Sequence, residues 1–273
     1  MDESFDYQGR RIAYHSYGSG DRVLVLIHGL LMNGRMFSRL GPEMAARGNQ
    51  VVCVDLLGHG ESDKPEDFNA YSMTAFGGQV AALLDHLGLE RAVVGGTSLG
   101  ANVSLELAVA HPERTAGLLI EMPVLDNALI AVAVAFTPVL IASEFGAPLL
   151  RLASAVARRI PRSHYLLDIG LDWVRRDPKT SAMVLQGLLL GRTCPPAAER
   201  RTIEAPALIV GHRSDPIHPF SDSDELVEEM PNARLVDADS ILEWRLNPGR
   251  LNDRLADFLD GVHSSAGGLR AAA

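Results

Sequence analysis

The sequence predicts an α/β fold: a doubly wound, mostly parallel sheet, interrupted late by a helical insertion. Three observations carry this. Short, wholly apolar runs recur at Val23–Ile27, Val51–Val54, Ala92–Val94, Gly117–Ile120 and Ala207–Val210, as strands covered on both faces require. Helical periodicity follows most of them at short distance, so strands alternate with crossover helices. After about residue 123 the pattern stops for about 75 residues, then resumes.

Residues 4–17 read as an amphipathic hairpin, with Gly9 at the turn and alternation through Ile12, Tyr14 and Ser16. The run at 23–27 ends in His28-Gly29-Leu30, and a helix is expected from about Gly34 to Arg47. The run at 51–54 leads into Asp55-Leu56-Leu57-Gly58-His59-Gly60-Glu61-Ser62, and a helix is expected over about 73–87. Next come the strand at 92–94, a helix reaching His111-Pro112, and the strand at 117–120. Beyond the insertion stand the strand at 207–210, a helix near 221–230, a strand over Ala233–Val236 and a helix from about Pro248 to Leu259. The expected division is a core of 1–123 and 203–262, a helical cap of 124–202 and a disordered tail of 263–273. The cap would stand over the strand C-terminal ends, where ligands of such sheets bind.

Gly96-Thr97-Ser98-Leu99-Gly100 lies between a strand and a helix, the setting of a nucleophile elbow. A sharp turn there holds its serine in a strained backbone conformation, and side chains on either side would strike the neighbouring strand and helix. Ser98 is the candidate nucleophile. A serine hydroxyl is a poor one until a base takes its proton.

A net charge of −9 argues against nucleic acid as a partner, because phosphate binding needs a basic surface. Cys53 and Cys194 are far apart and suggest neither a disulfide framework nor a zinc site. No metal-ligand cluster or dinucleotide fingerprint appears, so no cofactor is expected. The N-terminus is acidic and polar, unlike a signal peptide, which makes a cytoplasmic location the expectation.

These motifs together resemble the α/β-hydrolase superfamily, in particular single-domain bacterial esterases, lactonases and cofactor-free haloperoxidases with a helical cap. The resemblance covers about residues 5–122 and 203–260. It rests on His28-Gly29, Asp55 to Ser62, the elbow, and Gly211-His212-Arg213-Ser214-Asp215. It implies Ser98 as nucleophile, the backbone N–H groups of Leu30 and Leu99 as the oxyanion hole, and Asp215 as the triad acid. His28 and His59 match positions that usually shape loops; His28 is also kept as a possible ligand contact.

The family's base lies in a Gly-His pair after the last strand. Here the corresponding segment reads Asp239-Ser240-Ile241-Leu242-Glu243-Trp244-Arg245, without histidine. Losing that base costs a serine triad about 10⁶ in turnover. Replacements are His218, on the loop after Asp215, then His212 and His263; a site without a histidine base is the remaining possibility. The favoured arrangement is Ser98 with His218, held by Asp215 or Glu243. Ser240 and Glu243 could instead contact a ligand, or Glu243 could pair with Arg245 or Arg250, with Leu242 and Trp244 packed under the cap.

Residues 128–142 are almost wholly apolar, short of a bilayer span and interrupted by Pro138. They read as a buried cap helix forming a greasy wall over the nucleophile. Arg151, Arg158, Arg159 and Arg162 follow, as a solvated face or an interfacial membrane contact. The expected function is a serine-nucleophile hydrolase of a hydrophobic carboxylic ester, thioester or lactone. The partner is then a small hydrophobic substrate, with no stable membrane insertion. The alternative is a non-hydrolytic protein of the same fold, a lyase-type enzyme or a small-ligand binder; a scaffold acting through partners is the third reading.

Overall fold

The computed structural model describes the backbone of residues 2–270 and the side chains of 3–264. A hairpin of β1 (Asp2–Tyr7) and β2 (Arg10–Tyr17) leads to β3 (Val23–Ile27). The alternation that follows is α1 (Leu40–Ala46), β4 (Gln50–Val54), α2 (Met73–His86), β5 (Ala92–Thr97), α3 (Leu99–Ala110) and β6 (Thr115–Glu121). Five helices then intervene: α4 (Leu129–Phe145), α5 (Ala147–Arg159), α6 (Tyr165–Val174), α7 (Pro178–Leu190) and α8 (Ala197–Arg200). The chain closes with β7 (Ala207–Gly211), α9 (Phe220–Glu229), β8 (Ala233–Asp237), α10 (Glu243–Leu246) and α11 (Gly249–Arg270).

The eight strands form one sheet in the order β1-β2-β4-β3-β5-β6-β7-β8. β1 and β2 are antiparallel to their neighbours; every pair from β4 onward is parallel. β3, at the centre, is buried on both faces, which explains its unbroken Val-Leu-Val-Leu-Ile run. Alternate residues feed two cores. Val25, Ile27 and Val94 pack with α2 and α3, whereas Leu24, Leu26 and Val93 pack with α1 and α11.

Three local expectations need correction. The segment from Gly34 begins as a 3-10 turn, Gly34–Phe37, before α1 starts at Leu40. Asn33 caps that turn by accepting from the Arg35 amide. The expected disordered tail is helical as far as Arg270. Buried Val262 packs beside Leu259 in the core on that face of the sheet and holds this part of α11 in place. Residues 271–273 of that expectation lie outside the described residues. Third, Pro138 sits within α4 without ending it, and the helix expected to be buried and short of a bilayer span is largely exposed, with Ser143 its one buried residue, and with the preceding turn reaches 20 residues, a spanning length.

The insertion is fastened where it leaves and where it returns. Asn102, on α3, donates to the carbonyls of Val124 (2.7 Å) and Thr193 (2.8 Å) and accepts from the Val124 amide. One turn further along α3, the buried carboxylate of Glu106 accepts from Thr74 and from Arg192. These bonds tie both ends of the insertion to α3, and α4 and α7 line a cavity beside Ser98.

Candidate active site

Ser98 stands between β5 and α3 with φ +54° and ψ −107°, a backbone conformation that L-residues rarely adopt. The flanking glycines explain how the turn closes. A Cβ on Gly96 or on Gly100 would lie 2.0 Å from the Ile27 carbonyl oxygen. The Ser98 amide donates to the Glu121 carbonyl at 2.8 Å, tying the elbow to the end of β6.

The segment Asp215-Pro216-Ile217-His218-Pro219 folds on itself. Asp215 Oδ1 accepts from the amides of Ile217 (2.8 Å) and His218 (3.0 Å), a side-chain turn typical of aspartate. Its other oxygen, Oδ2, lies 2.8 Å from His218 Nδ1. His218 Nε2 lies 2.9 Å from Ser98 Oγ. Since an ionised carboxylate only accepts, the proton belongs on Nδ1, and Nε2 is left as an acceptor for the serine hydroxyl. Burial alone would raise the Asp215 carboxyl, but the bonds from the His218 ring and the two amides hold it below the usual carboxylate range. Both side chains are largely shielded, at 14% exposure for His218 and 4% for Asp215.

Leu30 and Leu99 line the same cavity as Ser98. Leu99 opens α3, where the first N–H groups have no intrahelical acceptor. The loop carrying Leu30 is shaped by two buried imidazoles. His28 Nδ1 donates to the Gly29 carbonyl (2.8 Å) and Nε2 accepts from the Leu56 amide (3.2 Å). His59 Nδ1 donates to the Leu57 carbonyl (3.0 Å) and Nε2 accepts from the amide of Leu31 (3.3 Å), itself at φ +59°. His28 thus has backbone groups on both ring nitrogens and is wholly buried, which fits a loop-shaping part better than the ligand contact the sequence allowed.

Burial holds both rings neutral, pushing His28 down to about 4 and His59 well below its ordinary value. The unfolded chain protonates these rings near pH 6.5, while the folded chain does so only at lower pH. Their contribution is thus complete above pH 6.5 and is lost as the pH falls through that range. His28 alone accounts for a loss on the order of 3 kcal/mol by pH 4. Urea midpoints are expected to fall steadily from pH 7 to pH 5; constant midpoints would show both rings free to protonate.

The other candidates lie apart from Ser98. His212 Nδ1 accepts from the Ser214 amide (3.3 Å) at the start of the loop. His263 belongs to α11, with Arg22, Arg91 and Asp260 as its charged neighbours. Ser240 is exposed and its carbonyl accepts from the Glu243 amide (2.9 Å). The Glu243 carboxylate binds Arg250 (2.8 and 2.9 Å) and the Asp239 amide. Ser240 and Glu243 therefore build the turn into α10 rather than a ligand contact, and Glu243 plays no part in holding His218. Trp244 packs with Leu251 and Leu255 instead of under the cap, donating to Asn252 at 2.8 Å. Leu242 is exposed.

One cluster went unnoticed in the sequence. Buried Arg245 donates to Glu121 (2.9 Å) and to Thr97 (3.2 Å), and the Thr97 hydroxyl donates to Glu121. A glutamate ending an otherwise apolar strand was its only visible sign.

The cavity at Ser98 has a volume of about 240 Å³. Its floor includes Leu30, Leu99 and Asn102; α4 supplies Leu129, Val132, Ala133, Phe136 and Thr137, and α7 supplies Leu185, Leu188 and Leu189. Such an apolar hollow, with a few polar atoms gathered at one end, suits a ligand with a greasy body and one reactive group.

Comparison with known proteins agrees with this architecture. The family described as alpha/beta hydrolase fold matches residues 22–240. The solved structure of Est816, titled as an N-acyl homoserine lactone degrading enzyme, superposes with a TM-score of 0.75 at 25% identity. That match covers 94% of this chain and all of the other. Epoxide hydrolase B of Mycobacterium tuberculosis is 35% identical over 96 residues, or 35% of this chain and 27% of the relative. An uncharacterized protein of the same species, Rv2715, is 38% identical over 105 residues, 38% of this chain and 30% of its own length. The chain thus matches less than a third of the length of either curated relative.

Proposed function

The chain belongs to the alpha/beta hydrolase fold family, and on that premise we propose that it is a serine hydrolase of carboxylic esters, thioesters or lactones with an apolar acyl part. Ser98 is the nucleophile, His218 the general base and Asp215 the acid that orients it. The observation that carries the reading is the 2.9 Å separation of His218 Nε2 from Ser98 Oγ, with Asp215 on the far side of the ring.

The steps follow from those contacts. As Ser98 Oγ bonds to the substrate carbonyl carbon, its proton passes to His218 Nε2 and the carbonyl π pair moves onto oxygen. The Leu30 and Leu99 N–H groups receive that oxyanion, each donor being worth about 3–4 kcal/mol in the transition state. Collapse expels the alcohol or thiol as the C–O or C–S bond breaks, with the leaving atom taking the proton from Nε2. Water then attacks the acyl-serine, giving its proton to His218, and a second collapse returns that proton to Ser98 and releases the acid. Asp215 stabilises the imidazolium of each stage without taking the proton.

The cavity supports the apolar acyl part, and the likeness to an enzyme titled as degrading an acylated lactone is consistent with it. A fluorophosphonate is expected to label the wild-type protein stoichiometrically at Ser98 and to leave Ser98→Ala unlabelled. The wild-type protein should also hydrolyse p-nitrophenyl esters of medium-length acids. Absence of both labelling and turnover in folded protein would favour the lyase-type or ligand-binding alternative.

A further inference from the structure

We propose that the outer face of the α4–α5 helical pair docks reversibly on the surface of an anionic phospholipid bilayer. This goes beyond the hydrolase reading and does not rest on it. The stretch Asp126–Phe145 has a mean hydropathy of 2.1, yet only 11% of it is buried. Its inner face roofs the Ser98 cavity through Val132, Ala133 and Phe136. Its outer face presents Ile130 (80% exposed), Val134, Ile141 and Phe145 (84% exposed), positions that share one helical stripe. In α5, Leu149 (72% exposed), Leu152 and Val156 form a second exposed stripe. Exposed apolar stripes of this length on two consecutive helices mark an interaction face.

Charge selects the occupant. The chain carries a net charge of −9, whereas residues 145–162 hold four arginines and no Asp or Glu. Arg158 and Arg162 turn toward the adjoining helix, donating to the Arg175 carbonyl and to Asp172. Arg159 is exposed beside the apolar stripe, and Arg151 is exposed with one distant partner, Asp177 at 3.8 Å. Apolar side chains bordered by arginine are the composition of a helix lying in a lipid interface, where the cations meet anionic headgroups. A two-fold pairing of this face with a second copy would set arginine against arginine. Docking leaves α4 in contact with α7 and needs no helix to leave the fold.

The test is co-sedimentation of the full chain with vesicles of phosphatidylcholine alone and of phosphatidylcholine with 30% phosphatidylglycerol, the Ser98→Ala protein being run in parallel. Binding is expected to the anionic vesicles, equal for wild type and Ser98→Ala, and reversed by carbonate washing. Arg151→Gln/Arg159→Gln should weaken it roughly 30-fold, equivalent to about 1 kcal/mol per arginine. Phe145→Ser/Leu149→Ser should abolish sedimentation while turnover of a soluble ester stays unchanged, since neither residue lines the cavity. The proposal is overturned by equal binding to both vesicle types, by binding that both double variants retain, by resistance to carbonate, or by a dimer that Phe145→Ser/Leu149→Ser dissociates. Loss of ester turnover in Ser98→Ala bears on the hydrolase reading alone.

Discussion

Replacing His218 by alanine is expected to lower kcat toward p-nitrophenyl esters by about 10⁴- to 10⁶-fold, with KM little changed. The reasoning is geometric. The ring joins Asp215 at 2.8 Å to Ser98 at 2.9 Å, so removing it leaves the hydroxyl without an acceptor for its proton. Asp215→Asn should cost about 10⁴-fold, because an amide facing Nδ1 favours the tautomer that places the proton on Nε2, against the serine. His212→Ala and His263→Ala are the contrasting controls and should retain near wild-type rates. Steady-state kinetics on the four variants decides the matter. If His218→Ala keeps more than a tenth of the wild-type rate, the base lies elsewhere and the proposed mechanism fails.

The second large effect concerns stability. Glu121→Ala should destabilise the fold by about 3–5 kcal/mol, because it strands the Arg245 guanidinium in the interior. Burial opposes the charge on Arg245, and Glu121 more than offsets that, holding its pKa above the usual value. The double variant Glu121→Met/Arg245→Leu should recover most of the loss, since it removes both charges and leaves nothing unpaired. Guanidinium denaturation of the three proteins measures this. A single variant within about 1 kcal/mol of wild type would show that water reaches the pair. Thr97, bonded to both partners, adjoins Ser98, so Glu121→Ala is also expected to lower kcat by loosening the elbow.

The strands were legible in the sequence because a sheet covered on both faces leaves unbroken apolar runs, as at Val23–Ile27. The elbow was legible because Gly96 and Gly100 answer a steric demand that only glycine meets. The proposed base was legible only as one of several histidines. Asp215 and His218 are three residues apart and their turn is local, but its approach to Ser98 spans 120 positions of chain, and no spacing rule reports such a distance. The helical insertion resisted reading for a different reason. Helix α4 is apolar around its whole circumference, so periodicity does not distinguish the face over the cavity from the face toward solvent. Glu243 was ambiguous in the sequence, because a carboxylate near the position of the family's base looks the same whether it contacts a ligand, holds a histidine or, as here and as one of the readings had it, pairs with Arg250.

The side-chain turn of Asp215 has one further consequence. In this chain Asp215 and the His218 ring are welded into a single short cassette by two amides and one imidazole contact. Any shift of that cassette carries both groups together, so their mutual alignment survives movement of the strand ends around them. In the proposed mechanism the relay then has one adjustable coordinate, the gap between ring and hydroxyl, and opening it by an ångström would silence that chemistry while leaving every other bond of the cassette intact.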